Sequence, residues 1–293
     1  MVKSAQRAGC PARASVWLED KAPRSGGRRG GGGQPSGLDR DRITAATVRL
    51  LDREGLVRFS MRRLAAELNV TAMSVYWYVD TKDDLLELAL DAVHGGMRLP
   101  VAGTVQDWRT QLRELALEYR ALLVRHPWVS PLAGRFLNIG PHSAGFALAV
   151  RRVIGLTGLT THGQMGARSA VFQFVYGFGT IEGHFIARCA AAGLSQDDYV
   201  HHALSAVTES PGLGEIARHA ADLMEAHGGD TVEEMRDRDF TFALETLIAG
   251  IEAMVDRDPP RRPPLPADPA VSPPATQAGP GSRPSPPDPT EPA

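Results

Sequence analysis

Between Asp39 and Gly95, helix-capping residues follow one another so closely that only short helices fit between most of them. Ser60, Thr71 and Thr81 each stand where a side-chain oxygen accepts a hydrogen bond from the first turn of a helix, as Asp39 does before an apolar stripe. The spacing predicts a first helix, two short helices and then a fourth helix that ends near Gly95.

The second and third of these helices are predicted to be joined by a tight turn. Leu64 and Leu68 belong to the apolar side of the second helix, and Asn69 tolerates the positive φ that ends it. The third helix starts at Thr71, only two residues after Asn69. The pattern is therefore that of a helix-turn-helix.

Apolar residues recur with a helical period through nearly all of residues 38–257, and no alternating run bounded by hairpin turns is found. The sequence predicts an all-α fold with domains at 38–98 and 104–257. Helices of the second domain are expected at 105–125, 143–156, 163–191, 197–207, 214–227 and 236–256. Because no long apolar stretch or N-terminal signal segment occurs, we expect a cytoplasmic protein without membrane contact.

Both ends of the chain differ from this helical region in composition. Residues 1–37 contain seven basic and two acidic side chains and a run of glycines, with almost no periodic apolar residues. Residues 259–293 hold fourteen of the twenty-two prolines. A disordered basic tail at 1–37 and a disordered proline-rich tail at 258–293 are therefore predicted.

The third helix has two different faces. Val75 and Tyr78 fall toward the first two helices, whereas Ala72, Ser74 and Tyr76 are spread over the other sides. A short, supported helix with small and hydroxylated residues outward suits a DNA major groove, which is about 12 Å wide. The same spacing is equally consistent with a three-helix bundle whose aromatic residues lie at the edge of the core.

The run "ITAATVRLLDREGLVRFSMRRLAAELNVTAMSVYWYVDTKDDLLELALD", residues 43–91, resembles the DNA-binding domain of the TetR family of transcriptional regulators. A weaker resemblance continues at 107–127 and 240–255. The resemblance implies an N-terminal helix-turn-helix, three-helix DNA-binding domain and a C-terminal helical domain for ligand binding and dimerisation. It also implies a homodimer, a palindromic double-stranded DNA operator and a small-molecule effector.

The same resemblance implies roles for single residues. Arg62 matches an arginine that reaches a guanine edge, Ser60 a phosphate contact, and Tyr76 and Lys82 positions that hold the DNA backbone. Trp77 is assigned to packing that sets the angle of the helix. The positions that face bases are Thr71, Ala72, Met73 and Ser74. The tetracycline repressor has a Gln and a Pro where this chain has Ala72 and Met73, so the operator must differ.

The charge of the first domain does not favour DNA binding. Residues 38–98 contain nine basic and ten acidic side chains, whereas a nucleic-acid-binding domain is usually basic. We expect the charges to be segregated, with the acidic residues of the fourth helix facing away from DNA. The basic residues predicted on the groove side are Arg58, Arg62, Arg63 and Lys82, and the acidic ones are Asp83, Asp84, Glu87 and Asp91.

The long helix of the second domain carries a stripe at spacings of three and four that is predicted to be buried. Polar residues interrupt it, and Arg168 and Glu182 are too far apart, at about 21 Å along a helix, to pair with each other. A ligand, other helices or a sister subunit must supply their partners. The ligand-binding candidates are Gln164, Arg168, Val171, Val175, Phe178 and Glu182, together with His126.

A second face of this helix is rich in glycine, which indicates close approach of another backbone. The last helix is apolar on too many sides for a surface helix. The resemblance implies that both helices form a dimer seam. The dimer candidates are Phe172, Tyr176, Gly179 and Gly183 on the long helix and Phe240, Leu244, Leu247 and Ile251 on the last one.

Catalytic motifs are absent from the sequence. It contains no G-x-S-x-G, no phosphate-binding loop, no dinucleotide fingerprint and no His-Glu-x-x-His, so we expect neither an enzyme nor a bound metal or cofactor. The resulting prediction is a TetR-type repressor released from its operator by a small molecule. The alternative is an all-helical small-molecule-binding or scaffold protein whose helix-turn-helix is vestigial.

Overall fold

The computed structural model describes residues 15–18, 37–103, 106–210, 212–228 and 231–257. Within them the chain forms ten α-helices, a 3-10 helix at Ser130–Leu132 and no β-strand, which confirms the predicted all-α fold. The helices are α1 (Arg40–Arg58), α2 (Met61–Glu67), α3 (Ala72–Tyr76), α4 (Lys82–His94), α5 (Trp108–Arg125), α6 (Pro141–Gly155), α7 (Thr161–Ala192), α8 (Gln196–Glu209), α9 (Gly214–His227) and α10 (Val232–Arg257).

The caps that divide the first four helices are formed as the sequence predicts. The side chains of Asp39, Ser60 and Thr71 each accept a hydrogen bond from a backbone N–H three residues later. Thr81 does the same for Asp84, whose carboxylate in turn accepts from the Thr81 N–H at 3.2 Å. These bonds satisfy amide groups that have no partner inside a helix, which is why the boundaries are readable from local sequence.

The first four helices close over one apolar core. Ile43, Leu64, Val75 and Leu85, one from each helix, are fully buried in it. The same cluster continues into residues 122–132 at the end of α5 and the segment after it. The core of the first four helices therefore extends past the proposed boundary near residue 98, and a second apolar cluster lies among α5, α6, α7 and α10.

The second domain is organised around α7, which packs against α5, α6 and α10. Gly179 and Gly183 are buried against α5, and a Cβ atom at Gly183 would lie 2.9 Å from the carbonyl oxygen of Leu123. The close approach predicted from these glycines is thus present, but it occurs within one chain. Their assignment to a dimer seam is wrong, because α5 of the same chain occupies that face.

Four residues of the predicted N-terminal tail, Ser15–Leu18, lie against α4. The composition of residues 1–37 did not predict this contact. The remainder of that tail up to residue 36, and the whole predicted tail at 258–293, lie outside the described residues.

Candidate nucleic-acid interface and second-domain core

The short helix α3 is held by one buried residue and presents most of its other side chains outward. Val75 is fully buried, and Val79, one turn later, is buried as well. Met73 and Trp77 are 70% and 72% exposed, and Tyr76 is exposed to 41%. The structure therefore provides a short projecting helix with an open face, which is the geometry needed to enter a groove of DNA.

The outward position of Trp77 is a correction to the sequence analysis, which assigned this residue to packing. Trp77 follows Val75 by two residues, or about 200° around a helix, so burial of Val75 turns Trp77 away from the core. Ala72 was predicted to face outward, but it is half-buried and packs against the core. The positions of Ala72 and Trp77 around the helix relative to the buried Val75 would have indicated that the first faces inward and the second outward.

The remaining residues that are predicted to contact DNA differ in the contacts they make within the protein. Arg62 is exposed and has no ion pair within the described part of the chain. Thr71 is exposed, and its hydroxyl is 2.9 Å from that of Ser74, which is half-buried. The hydroxyl of Ser60 caps α2. The Lys82 ammonium donates to the Phe59 carbonyl oxygen at 3.0 Å and so ties the start of α4 to the end of α1.

Most of the acidic side chains that the sequence places on α4 are buried and do not lie on the surface of the domain. Asp84, Glu87 and Asp91 are 6%, 4% and 3% exposed. Asp83 is exposed and forms an ion pair with Arg135 at 2.9 Å. The balance of acidic and basic residues in the first domain is therefore not the balance on its surface.

One basic residue expected on the groove side is engaged within the protein. The Arg63 guanidinium forms an ion pair with Glu54 at 2.6 Å, and this hydrogen bond lowers the pKa of the Glu54 carboxyl. Arg58 and Arg62 are exposed and make no ion pair among the described residues. Among the four basic residues predicted on the groove side, these two arginines are thus the most available to a phosphate or a base edge.

The core of the second domain contains a buried ionic cluster that the sequence analysis did not identify. Arg120 of α5 binds both carboxylate oxygens of Glu182, at 2.6 and 2.7 Å, and its guanidinium also pairs with Asp237 at 2.8 Å. The guanidinium lies over the rings of Phe178 and Phe240. Burial by itself lowers the Arg120 pKa, but the bonds and charges of the two carboxylates outweigh it and raise the pKa.

This cluster identifies the partner of Glu182, which the sequence alone did not determine. The partner is supplied by another helix of the same chain. A signal for it was present, because Arg120 lies between the buried residues Ala116 and Leu123 on the apolar stripe of α5. A charged residue on such a stripe predicts a buried counter-charge.

The predicted ligand-binding residues do not surround one cavity. Val171 and Val175 are fully buried, and the Gln164 amide donates to the Leu159 carbonyl oxygen. Arg168 is exposed, which corrects the prediction that the whole stripe is buried. His126 lines a cavity of about 370 Å³ between α1, α4 and α5, and its Nδ1 lies 2.6 Å from Asp52. The other six candidates line neither this cavity nor a second one of about 350 Å³.

The predicted dimer residues are also mostly internal. Phe240, Leu244 and Ile251 are buried within the subunit. The hydroxyl of Tyr176 donates to the Ser130 carbonyl oxygen, and Phe172 packs against aromatic rings of α5 and α6. Leu247 is half-buried at the edge of the core. These positions stabilise one subunit, so the structure does not support their assignment to a dimer seam.

The last turn of α4 contains a half-buried histidine at the junction of the two domains. His94 contacts the Leu90 carbonyl oxygen at 2.8 Å and lies beside the ring of Phe146 on α6. Burial lowers its pKa, and the Leu90 carbonyl opposes that effect only in part. The folded protein therefore favours the neutral imidazole.

We expect this histidine to weaken folding under mildly acidic conditions. Its contribution is complete above the unfolded pKa of about 6.5 and is lost as pH falls from there toward the depressed folded pKa, because the unfolded chain takes up the proton first. Urea unfolding at pH 7.5 and 5.5 measures this loss. His94→Gln should reduce the difference between the two pH values, whereas a change at the exposed His184 should not. An equal pH dependence in His94→Gln contradicts the assignment.

The described residues contain neither a metal-binding cluster nor a membrane-spanning helix. No group of three or more His, Cys, Asp or Glu side chains is arranged to hold a metal ion in this part of the chain. Among the same residues, no helix has both the length and the apolar character required to cross a membrane.

Two family profiles match this chain, one over each of the two sets of helices. The family profile described as bacterial regulatory proteins, tetR family, matches residues 43–89, and the profile described as tetracyclin repressor-like, C-terminal domain, matches residues 100–255. An HTH-type transcriptional regulator of Saccharopolyspora erythraea is 40% identical over 140 residues, which are 48% of this chain and 59% of that protein.

Two other proteins are similar over most of their length. The HTH-type transcriptional repressor DrrR1 of Streptomyces coeruleorubidus is 30% identical over 230 residues, covering 78% of this chain and 83% of that protein. The Streptomyces coelicolor TetR family protein ActR, solved in complex with actinorhodin, is 25% identical with a TM-score of 0.58, covering 74% and 97% of the two chains. Because both domains match in order and the second match alone exceeds half of the chain, this protein belongs to the TetR family of bacterial regulatory proteins.

Proposed function

We propose that this protein is a homodimeric transcriptional repressor that binds a palindromic operator through α3 and leaves it when a small molecule binds to the second domain. The observation that carries the proposal is the open face of α3, where Met73, Tyr76 and Trp77 project from a helix anchored by Val75. The similar protein DrrR1 is named a repressor, and ActR is a family member solved with a small molecule. The first similarity supports the repressor function, and the second supports the binding of a small molecule.

On the DNA, α3 is proposed to enter the major groove with Thr71 and Met73 facing base edges. Arg62 at the start of α2 reaches a guanine, since a free guanidinium matches its two acceptor atoms. Tyr76 and Trp77 contact the sugar-phosphate backbone. Lys82, already bonded to Phe59, adds positive charge where it fixes the position of α4.

The dimer is proposed to form through the faces of α7 and α10 that the subunit leaves open. On α7 this face includes Ile181, which is 72% exposed, and on α10 it includes Phe242, which is 78% exposed. The rest of the face consists largely of small residues, which permit close packing of helices. Its exposed or half-buried members are Gly166, Ala170, Gln173 and Gly177 on α7 and Thr246, Ala249 and Ala253 on α10.

The effector is proposed to bind within the second domain near α7, where the predicted residues Val171, Val175, Phe178 and Glu182 lie. Since that region is packed in this structure, binding there requires α7 to move relative to α5 or α10. The movement is transmitted by α6, which packs against α4. A coupling free energy of about 1 to 3 kcal/mol between the two sites is typical of such regulation.

A titration of the full chain against duplexes from its own upstream region, at two salt concentrations, tests DNA binding. We expect affinity well above that for a scrambled duplex and a steep decrease with salt, because cations are released from the phosphates. Affinity no higher than for the scrambled duplex would overturn the repressor function and leave the alternative of a small-molecule-binding or scaffold protein.

Arg62→Ala is expected to weaken operator binding by about 1 to 3 kcal/mol and to relax specificity at one base pair, because the guanine contact is lost. Arg151→Ala, which removes an exposed arginine of α6, is the matched control and should bind as the unaltered protein does. Fluorescence anisotropy with single-base operator variants measures both quantities. Unchanged affinity in Arg62→Ala would remove this residue from the interface.

A further inference from the structure

The segment Ser15–Leu18 binds a buried carboxylate of α4 although some seventy residues separate them in sequence. The Ser15 hydroxyl donates to Glu87 Oε1 at 2.5 Å, and the Val16 amide donates to Glu87 Oε2 at 2.8 Å. The Trp17 amide donates to the Ser15 Oγ at 3.2 Å and so fixes the turn of the segment. Both oxygens of Glu87 thereby receive a donor from this segment.

Because Glu87 is buried, these two hydrogen bonds are important for keeping its carboxylate in place. Glu87 is only 4% exposed, and within the described residues its carboxylate has no other hydrogen-bond donor. A buried carboxylate without donors is strongly unfavourable, because it has lost its hydration and gained nothing in exchange. The position of Glu87 in the α4 core face therefore depends on Ser15 and Val16.

Trp17 extends the contact from α4 to the start of α6. Gly140 is the N-cap residue of α6, and a Cβ atom there would overlap both the Trp17 indole and the Asp91 carboxylate. Asp91 of α4 accepts a hydrogen bond from the Ser143 amide in the first turn of α6 at 2.9 Å. The segment, α4 and α6 therefore meet at one point, with glycine required for their close approach.

We propose that Ser15–Leu18 is an anchor that fixes α4 against the start of α6 and thereby increases affinity for the operator. This inference rests on the proposed function. A dimer must present its two recognition helices at one separation, about one turn of DNA. If α4 moves freely against the second domain, binding must order it, and that ordering reduces affinity. The anchor orders α4 in advance.

Trp17→Ala in the full chain tests the role in DNA binding. We expect operator affinity to fall at least fivefold, the lower end of typical coupling, with an unchanged dependence on salt because no phosphate contact is lost. Trp17→Phe keeps an aromatic ring at this position and removes the five-membered ring of the indole, whose N–H has no acceptor among the described residues, so it should retain most of the affinity. Leu18→Ala, at an exposed neighbour, is the matched control.

Three results would overturn this role. Operator affinity within twofold of the unaltered protein in Trp17→Ala means that the anchor does not affect binding. A smaller dependence on salt in that variant means that the segment contacts phosphate directly. Equal losses in Trp17→Ala and Leu18→Ala mean that the effect does not come from the seated indole. Circular dichroism at the titration temperature must show that each variant is folded.

The contact itself is tested without DNA, so that its failure is distinguishable from failure of the repressor function. Ser15→Ala, Glu87→Gln and the double variant form a cycle in urea unfolding. We expect the double variant to lose less stability than the sum of the two single variants, and we expect the Val16 amide to be protected from hydrogen exchange. Additive losses would show that Ser15 does not bind Glu87, and an unprotected amide would show that Val16 does not, whether or not the protein binds an operator.

Discussion

Arg120→Ala is expected to reduce the free energy of unfolding by about 3 to 5 kcal/mol, because it leaves the Glu182 carboxylate buried without its counter-charge. The side chains of Arg120 and Glu182 are only 10% and 9% exposed, so water does not replace the lost hydrogen bonds. The variant also removes the cation from the faces of Phe178 and Phe240. Each of these losses acts on the packing of α5 against α7 and α10.

Urea unfolding of the full chain measures this effect, with Arg113→Ala as the matched control. Arg113 is on the same helix and pairs with Glu245 of α10, but both side chains are more than a third exposed. An exposed pair contributes at most about 1 kcal/mol. If Arg120→Ala costs no more than Arg113→Ala, the Arg120 cluster is not the buried ion pair that the structure describes.

Phe242→Asp is expected to separate the proposed dimer and to weaken operator binding by about 10²- to 10⁴-fold. A palindrome is held by two linked recognition helices, and a monomer loses the gain in effective concentration that the second half-site provides. The variant places a carboxylate on each side of an apolar seam. Since Phe242 is 78% exposed in the subunit, its replacement should leave the fold of each monomer intact.

Sedimentation equilibrium gives the oligomeric state, and titration of the same samples with the operator gives the affinity. Leu148→Asp, at an exposed apolar position of α6, controls for the effect of adding a surface charge. A Phe242→Asp protein that stays dimeric would place the seam on another surface. A monomer with unaltered operator affinity would overturn the palindromic mode of binding instead.

Helix boundaries and the helix-turn-helix were determined by the sequence alone. Each cap is a contact between residues three apart, so its formation at Ser60, Thr71 and Thr81 does not depend on the rest of the fold. The same holds for Asn69, whose φ of 54° ends α2 as its residue type allows. The six helices of the second domain also agree with their predicted bounds, to within four residues at every end.

Tertiary structure alone decided which sides of α7 and α10 are inside. The helix α7, and α10 from Phe240 onward, carry apolar residues on most sides, so the helical period gives no single direction for the core. Contact with α5 fixed Gly179 and Gly183 inward, and Ile181 and Phe242 remained outside. For that reason the sequence could not show which residues of these helices the subunit itself buries.

Long-range polar contacts were equally beyond the sequence. Arg120 lies sixty-two residues from Glu182, and Ser15 lies seventy-two from Glu87, so no local pattern relates the members of either pair. Each pair forms because a charged group becomes buried and requires a partner, and burial is a property of the assembled helices. The sequence determined the helices, and their packing selected the faces and the buried pairs.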